Sequence, residues 1–225
     1  MDLCANANAI EAAALAAVEN DAKAVSSVAG VIALGAINGT FVQVVRLLSE
    51  CEGKVVLTGS GTSASMARRA AHLLSVVGTP SFFLSPGDGL HGGLGAIRGE
   101  DVVVAISKGG DSSELNEFCS RGKKLGKALV AVTSEKDSPL AQLADHALVI
   151  PLVPDADLGG VVATGSSLAA GALLDGLVEG CRVARGYEWK SFFFTHPGGA
   201  VGKNAAATLE NLTSKNMNPK DINPS

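Results

Sequence analysis

Two kinds of residue in this sequence have the means to do chemistry: glycine–serine turns and histidines in glycine-rich loops. TGSGTSAS (58–65) follows a short apolar run. Gly59 and Gly61 let backbone N–H groups turn towards an anion, and Ser60, Thr62, Ser63 and Ser65 add hydroxyls before a helix start. No lysine follows the second glycine, so this is not a P-loop, and the dinucleotide pattern G-x-G-x-x-G is absent. SKGGDSSE (107–114) repeats the chemistry with Ser107, the glycine pair Gly109 and Gly110, and then Ser112 and Ser113. TGSS (164–167) opens a third helix with Thr164. Taken singly, each is an ordinary strand–helix corner with a serine cap. Taken together, they suit a phosphate monoester held by oriented amides and hydroxyls, which act locally even in an acidic protein.

His91 lies in PGDGLHGGLG (86–95), a loop with no helical pattern, and His196 lies in THPGGAVG (195–202), just before a helix. An imidazole flanked by glycines gains little from packing, and it titrates near neutral pH, which suits proton transfer. His72, in mid-helix, and His146, opening a strand, read as structural or solvated. The nearby carboxylates are Asp88, Asp111, Glu114, Asp155 and Asp157. Asp111 sits within the second turn, facing the carbon skeleton of a bound ester. Glu114 suits a helix cap or dipole partner. Asp155 and Asp157 share the loop PDADLGG (154–160), which either folds over the site or is solvated.

These residues need a scaffold that brings distant turns together. Hydrophobic periodicity predicts a helix over 5–28, interrupted by Gly30 and Gly35, and a second at about 39–50. Continuous apolar runs predict five strands at 54–59, 80–85, 101–107, 127–134 and 146–152. Helices are expected between them at 63–78, 112–126 and 139–145, with a long one at 164–186. The expected fold is α/β: a three-layer doubly wound domain on a five-stranded parallel sheet, preceded by two packing helices. Such sheets bind ligands outside the carboxyl ends of their strands, where all three glycine–serine turns fall.

At roughly 100–200 residues per domain, 225 residues allow one domain with short extensions, or two cramped ones. A single domain over 1–212 and a polar tail over 213–225 are expected. Apolar residues make up 47%, enough for a sizeable core. The net charge is −4 and no basic block exceeds two adjacent residues, so nucleic acid is not an expected partner. No uncharged apolar stretch reaches the roughly 18–20 residues of a membrane span, and the N-terminus lacks the basic start of a signal peptide. A cytoplasmic location is expected. Cys4, Cys51, Cys119 and Cys181 show no metal-type spacing and read as reduced thiols.

GSGTS, SPGDGLHGGLG, SKGGDSSE, TGSS and THPGGAVGK occur along one chain. This set resembles the sugar isomerase (SIS) domain, and within it the arabinose-5-phosphate isomerase group, over roughly residues 8 to 210. The resemblance implies a metal-independent, cofactor-free isomerisation of D-arabinose 5-phosphate and D-ribulose 5-phosphate through a cis-enediol. It implies tetramers with sites between subunits, in a short form without C-terminal regulatory modules. On this reading His196 is the principal acid/base and His91 opens the ring or polarises the oxygen. Asp111 is a second carboxylate, and Asp155 matches an acidic residue before the long helix. Ser60, Thr62, Ser63, Ser107, Gly109, Ser112 and Thr164 hold the phosphate. The sequence departs from the family pattern at Thr62 (Lys in the family), Asp111 (Glu), Gly109 (Ser) and Gly93 (an acid). Thr62 and Gly93 favour an alternative, a sugar-phosphate-binding module without catalysis. A third reading keeps the isomerase and changes the sugar to a hexulose or heptulose phosphate.

Overall fold

Val55–Gly59 (β1), Val102–Ile106 (β3) and Ala128–Thr133 (β4) are buried at every residue, as strands covered on both faces must be. Ser81–Phe83 (β2) and His146–Val149 (β5) are shorter, less buried and form the two edges. The computed structural model describes residues 3–33 and 39–204. The sheet order is β2-β1-β3-β4-β5 and every pair is parallel. In register, Val56 pairs with Phe82 and Val103, and Val103 pairs with Leu129.

Strand alternation divides the core into two halves. Val56, Val103, Ala105, Leu129 and Ala131 meet Leu115, Phe118 and Cys119 of α5 (Ser113–Leu125) and Leu140 of α6 (Pro139–Leu143). The other face is covered by α3 (Gly61–Val76) and α7 (Gly165–Ala184), through Ala67, Ala70, Leu74, Leu173, Leu174 and Leu177. Right-handed crossovers require this split, because the chain leaves β1 towards one edge and β3 towards the other. Small residues let the helices lie close. A Cβ at Gly171 of α7 would stand 2.9 Å from the Met66 sulfur of α3. The helices α1 (Leu3–Ala33) and α2 (Thr40–Ser49) pack on α7 and complete the three-layer doubly wound architecture.

Two local expectations are corrected. The first helix runs through Gly30, whose added Cβ would meet nothing within 4 Å. One glycine costs a helix only about 1 kcal/mol, and the burial of Ala24 and Val28 holds the segment in place. Residues 86–95 are not an open loop. They form α4 (Pro86–Leu90) and a 3₁₀ turn, Gly93–Ala96. Ser85 caps α4 by accepting a bond from the Asp88 N–H at 3.1 Å, and Pro86 sits at its first turn. Gly35 and the tail 213–225 lie outside the described residues.

The amino edge of the sheet is clamped by carboxylates. Asp101 accepts bonds from Lys54 N (2.9 Å), Lys54 Nζ (2.7 Å) and Arg98 N (2.7 Å). Asp145 accepts from Leu129 N and pairs with Lys123, both at 2.8 Å. Burial alone pushes both carboxyls up, but these bonds outweigh it and hold them below their ordinary value of 3.8. A carboxyl depressed in the fold stabilises fully above its unfolded pKa and loses that stabilisation as pH falls through the folded value. Urea midpoints are therefore expected to hold steady near neutrality and fall steadily below about pH 4. A flat profile down to pH 3 would contradict the clamps.

The chain groups into two compact units, Met1–Arg185 and Gly186–Ser225. The first holds the sheet and α1 to α7. The second holds α8 (Trp189–Thr195) and α9 (Gly199–Lys203). In the second unit Trp189 meets Phe192 edge-on at 6.1 Å, and the His196 ring stacks on Phe192 at 5.1 Å.

Candidate functional site

The chain passes from β1 outward to β2 and then returns to β3 on the other side of β1. The connections therefore diverge between the carboxyl ends of β1 and β3, where open α/β sheets bind ligands. Ser60 and Ser112 stand at the N-caps of α3 and α5, and neither side chain makes a capping bond. The turn after β3 is rigid. Ser107 Oγ accepts from Gly110 N at 3.1 Å. The Lys108 carbonyl accepts from Thr133 Oγ1 (3.0 Å) and Ser134 N (2.9 Å). Gly110 has φ +63°, and a Cβ there would stand 2.2 Å from Ser138 Oγ, so the turn requires glycine.

At this rim, Thr62 and Ser63 of α3 face Lys108, Ser134, and Ser166 and Ser167 of α7 across a cleft floored by Ile106, Val132 and Ile150. A second cleft shares Lys108, Ser134 and Ser166 and adds Asp155 and Asp157. Asp157 is not part of a mobile cover. It is 7% exposed and anchors the start of α7 by accepting from Thr164 N (3.0 Å), Ser166 N (2.9 Å) and Ser166 Oγ (2.8 Å). Lys108 Nζ donates to it as well, at 2.6 Å. Burial pushes the Asp157 carboxyl up, but the bonds from Lys108 and Ser166 hold it below its ordinary value. Asp157→Ala removes a buried helix cap and is expected to destabilise by about 2 kcal/mol, read from denaturant midpoints. Asp155 is exposed, lines the second cleft and adopts φ 59°.

The sequence candidates are placed unevenly. Thr62 and Ser63 line the first cleft. Ser60, Ser107, Gly109 and Ser112 belong to the same rim, although they do not line either cleft. Thr164 donates its hydroxyl to the Ala156 carbonyl at 3.2 Å, Ser166 donates its own to Asp157 at 2.8 Å, and Ser167 donates to the Thr164 carbonyl at 2.8 Å, so of the cleft-lining side chains from α7 both hydroxyls are engaged within the chain. Asp111 is exposed beside the start of α5. His91 is exposed at the C-terminal end of α4, and His196 is exposed in the second unit. His72 is exposed on α3 and His146 is half-buried at the start of β5. Burial pushes the thiols of Cys119 and Cys181 up to about 12, which keeps them inert. Among the described residues, no group of three or more His, Cys, Asp or Glu is placed to hold a metal ion, and no helix is long and apolar enough to cross a membrane.

Sequence reasoning missed Lys108 and Ser134, whereas Ser166 and Ser167 belong to the TGSS turn it singled out. Lys108 carried a signal, since it is the cation inside a glycine–serine turn. Ser134 ends a strand with no motif around it.

The SIS domain family profile matches residues 47–179. The chain belongs to the SIS family. Within it, the arabinose 5-phosphate isomerase KdsD of Escherichia coli K12 is 36% identical over 176 residues, covering 78% of this chain and 54% of the relative. This SIS chain thus spans about half the length of the curated relatives it matches. Among solved structures, a candidate sugar-phosphate isomerase from Listeria monocytogenes is 30% identical with a TM-score of 0.76, covering 88% of this chain and 100% of that one. The Escherichia coli CFT073 protein c3406, solved in complex with A5P, is 29% identical with a TM-score of 0.75 and the same coverage.

Proposed function

We propose that this chain is an aldose–ketose isomerase of a phosphorylated sugar, with D-arabinose 5-phosphate and D-ribulose 5-phosphate as its substrate pair. One observation carries the reading. Hydroxyls of Thr62 and Ser63 from α3, Ser134 after β4 and a lysine after β3 converge on a cleft at the sheet's carboxyl rim, a site suited to a phosphate dianion. The likeness to arabinose 5-phosphate isomerases and to a protein solved with A5P supports the choice of sugar.

Isomerisation requires ring opening, removal of the C2 proton and its return at C1. His196 is assigned this proton transfer, which acid/base groups typically accelerate by about 10²–10⁴-fold. His91 opens the ring or polarises the carbonyl oxygen, and Asp111 serves as the second carboxylate. Asp155 sits where the loop before α7 borders the second cleft, so it is assigned to sugar length.

A homotetramer in the cytoplasm is part of the proposal. Ile10, Leu15 and Val18 of α1 are 62%, 59% and 66% exposed, and this apolar row suits a subunit contact. Sedimentation is expected to show an assembly, and a stable monomer at micromolar concentration would remove this part.

The activity is tested by an NMR panel of pentose, hexose and heptose phosphates incubated with the protein. Interconversion of the pentose pair is the expected result. Interconversion of a longer sugar alone would move the substrate and keep the reaction. Tight binding without any conversion would establish the binding-module alternative.

A further inference from the structure

Lys108 is the one charged side chain among the described residues lining the first cleft, and it also borders the second. Its side chain is 42% exposed, and Nζ rests on Asp157 at 2.6 Å. That carboxylate has other donors besides the lysine. Thr164 N, Ser166 N and Ser166 Oγ donate to it within 3.0 Å, so it stays hydrogen-bonded when Lys108 leaves. The backbone of Lys108 is fixed as well, because its carbonyl holds both Thr133 Oγ1 and Ser134 N. A long, flexible side chain on a fixed base, with a partner that can release it, suits a cation that changes partner when an anion arrives.

We propose that Lys108 is a phosphate-binding residue of this SIS domain, moving from Asp157 to the phosphate of the incoming sugar. Thr62, Ser63 and Ser134 supply hydroxyls around the same anion, and Lys108 supplies the charge. The assignment rests on the sugar-phosphate reading above and names the group that selects for the phosphorylated form.

The test is calorimetric titration of the full chain with D-arabinose 5-phosphate and, separately, with inorganic phosphate, for the wild type, Lys108→Gln and Lys108→Arg. Removing one charge-assisted contact is expected to weaken both ligands about ten- to hundredfold, with most of the affinity returning in Lys108→Arg. Unchanged affinity in Lys108→Gln, or a wild type that binds neither ligand, overturns the assignment. The inorganic phosphate arm separates it from the isomerase reading. If the wild type converts no sugar but Lys108→Gln still loses phosphate affinity, the reaction falls and the phosphate site stands. If the sugar is converted and Lys108→Gln binds like the wild type, the reverse holds. Lysine acetylation of the wild type, read by peptide mass, gives the same test without a substitution. Saturating phosphate is expected to protect Lys108, and equal labelling with and without phosphate overturns the proposal.

Discussion

Replacing His196 with alanine is expected to lower turnover at least about a hundredfold while leaving phosphate affinity nearly intact. The two effects separate because the proposal assigns the anion and the proton to different groups. The phosphate is assigned to hydroxyls and Lys108 at the carboxyl rim, none of which belongs to the His196 unit. His196 is exposed, and its ring contact in that unit is the stack on Phe192. Exposed substitutions of this kind typically change stability by about 0.5 kcal/mol or less, so a large loss of rate would not come from unfolding. Steady-state kinetics beside a binding titration reads both quantities. Full turnover in His196→Ala would transfer the acid/base role to another group, with His91 the first to test.

The largest expected effect on stability comes from Phe118→Ala. Phe118 is fully buried on α5, among Leu115, Cys119, Leu129 and Leu140. Gly89 of α4 lies directly on its ring, so closely that an added Cβ would stand 2.2 Å from a ring carbon. Truncation opens a cavity between α4, α5 and the sheet that the backbone cannot fill without moving α4. Phe→Ala changes in cores cost about 3–5 kcal/mol, which corresponds to a drop in thermal midpoint of about 6–20 °C for a chain of this size. His91 follows the last residue of α4, so the folded fraction is also expected to turn over more slowly. A midpoint lowered by less than about 2 °C would contradict the packing described for this face.

The sheet was legible because burial on both faces leaves an unmistakable pattern. KVVLTG, DVVVAIS and KALVAVTS are apolar runs too short for helices, and they became β1, β3 and β4 within a residue or two of the expected bounds. The edge strands shrank most, because β2 and β5 lack a second neighbour to hold their ends. α4 was missed although Ser85, Pro86 and Asp88 are helix-start residues, because three glycines in the next five positions hid them. The seat that Phe118 provides for Gly89 decided the matter, and it lies in a different element.

The turns were legible at the site, but their electrostatics were not. Lys108 and Asp157 are 49 positions apart, and no periodicity links them. Asp157 lies in PDADLGG, which reads as surface chain that either folds over the site or is solvated. In the fold it is a buried cap on α7. The same gap affected the charge reading. Thr62 registered as the loss of a cation from the first turn, while Lys108 in the second turn places one on the wall of the same cleft.

The most direct measurement is hydrogen exchange at carbon in the sugar itself. D-arabinose 5-phosphate incubated with the protein in D₂O is expected to give ribulose 5-phosphate carrying deuterium at C1, and recovered arabinose 5-phosphate labelled at C2. A sugar phosphate that binds at the rim yet keeps every carbon-bound proton through long incubation would contradict the account.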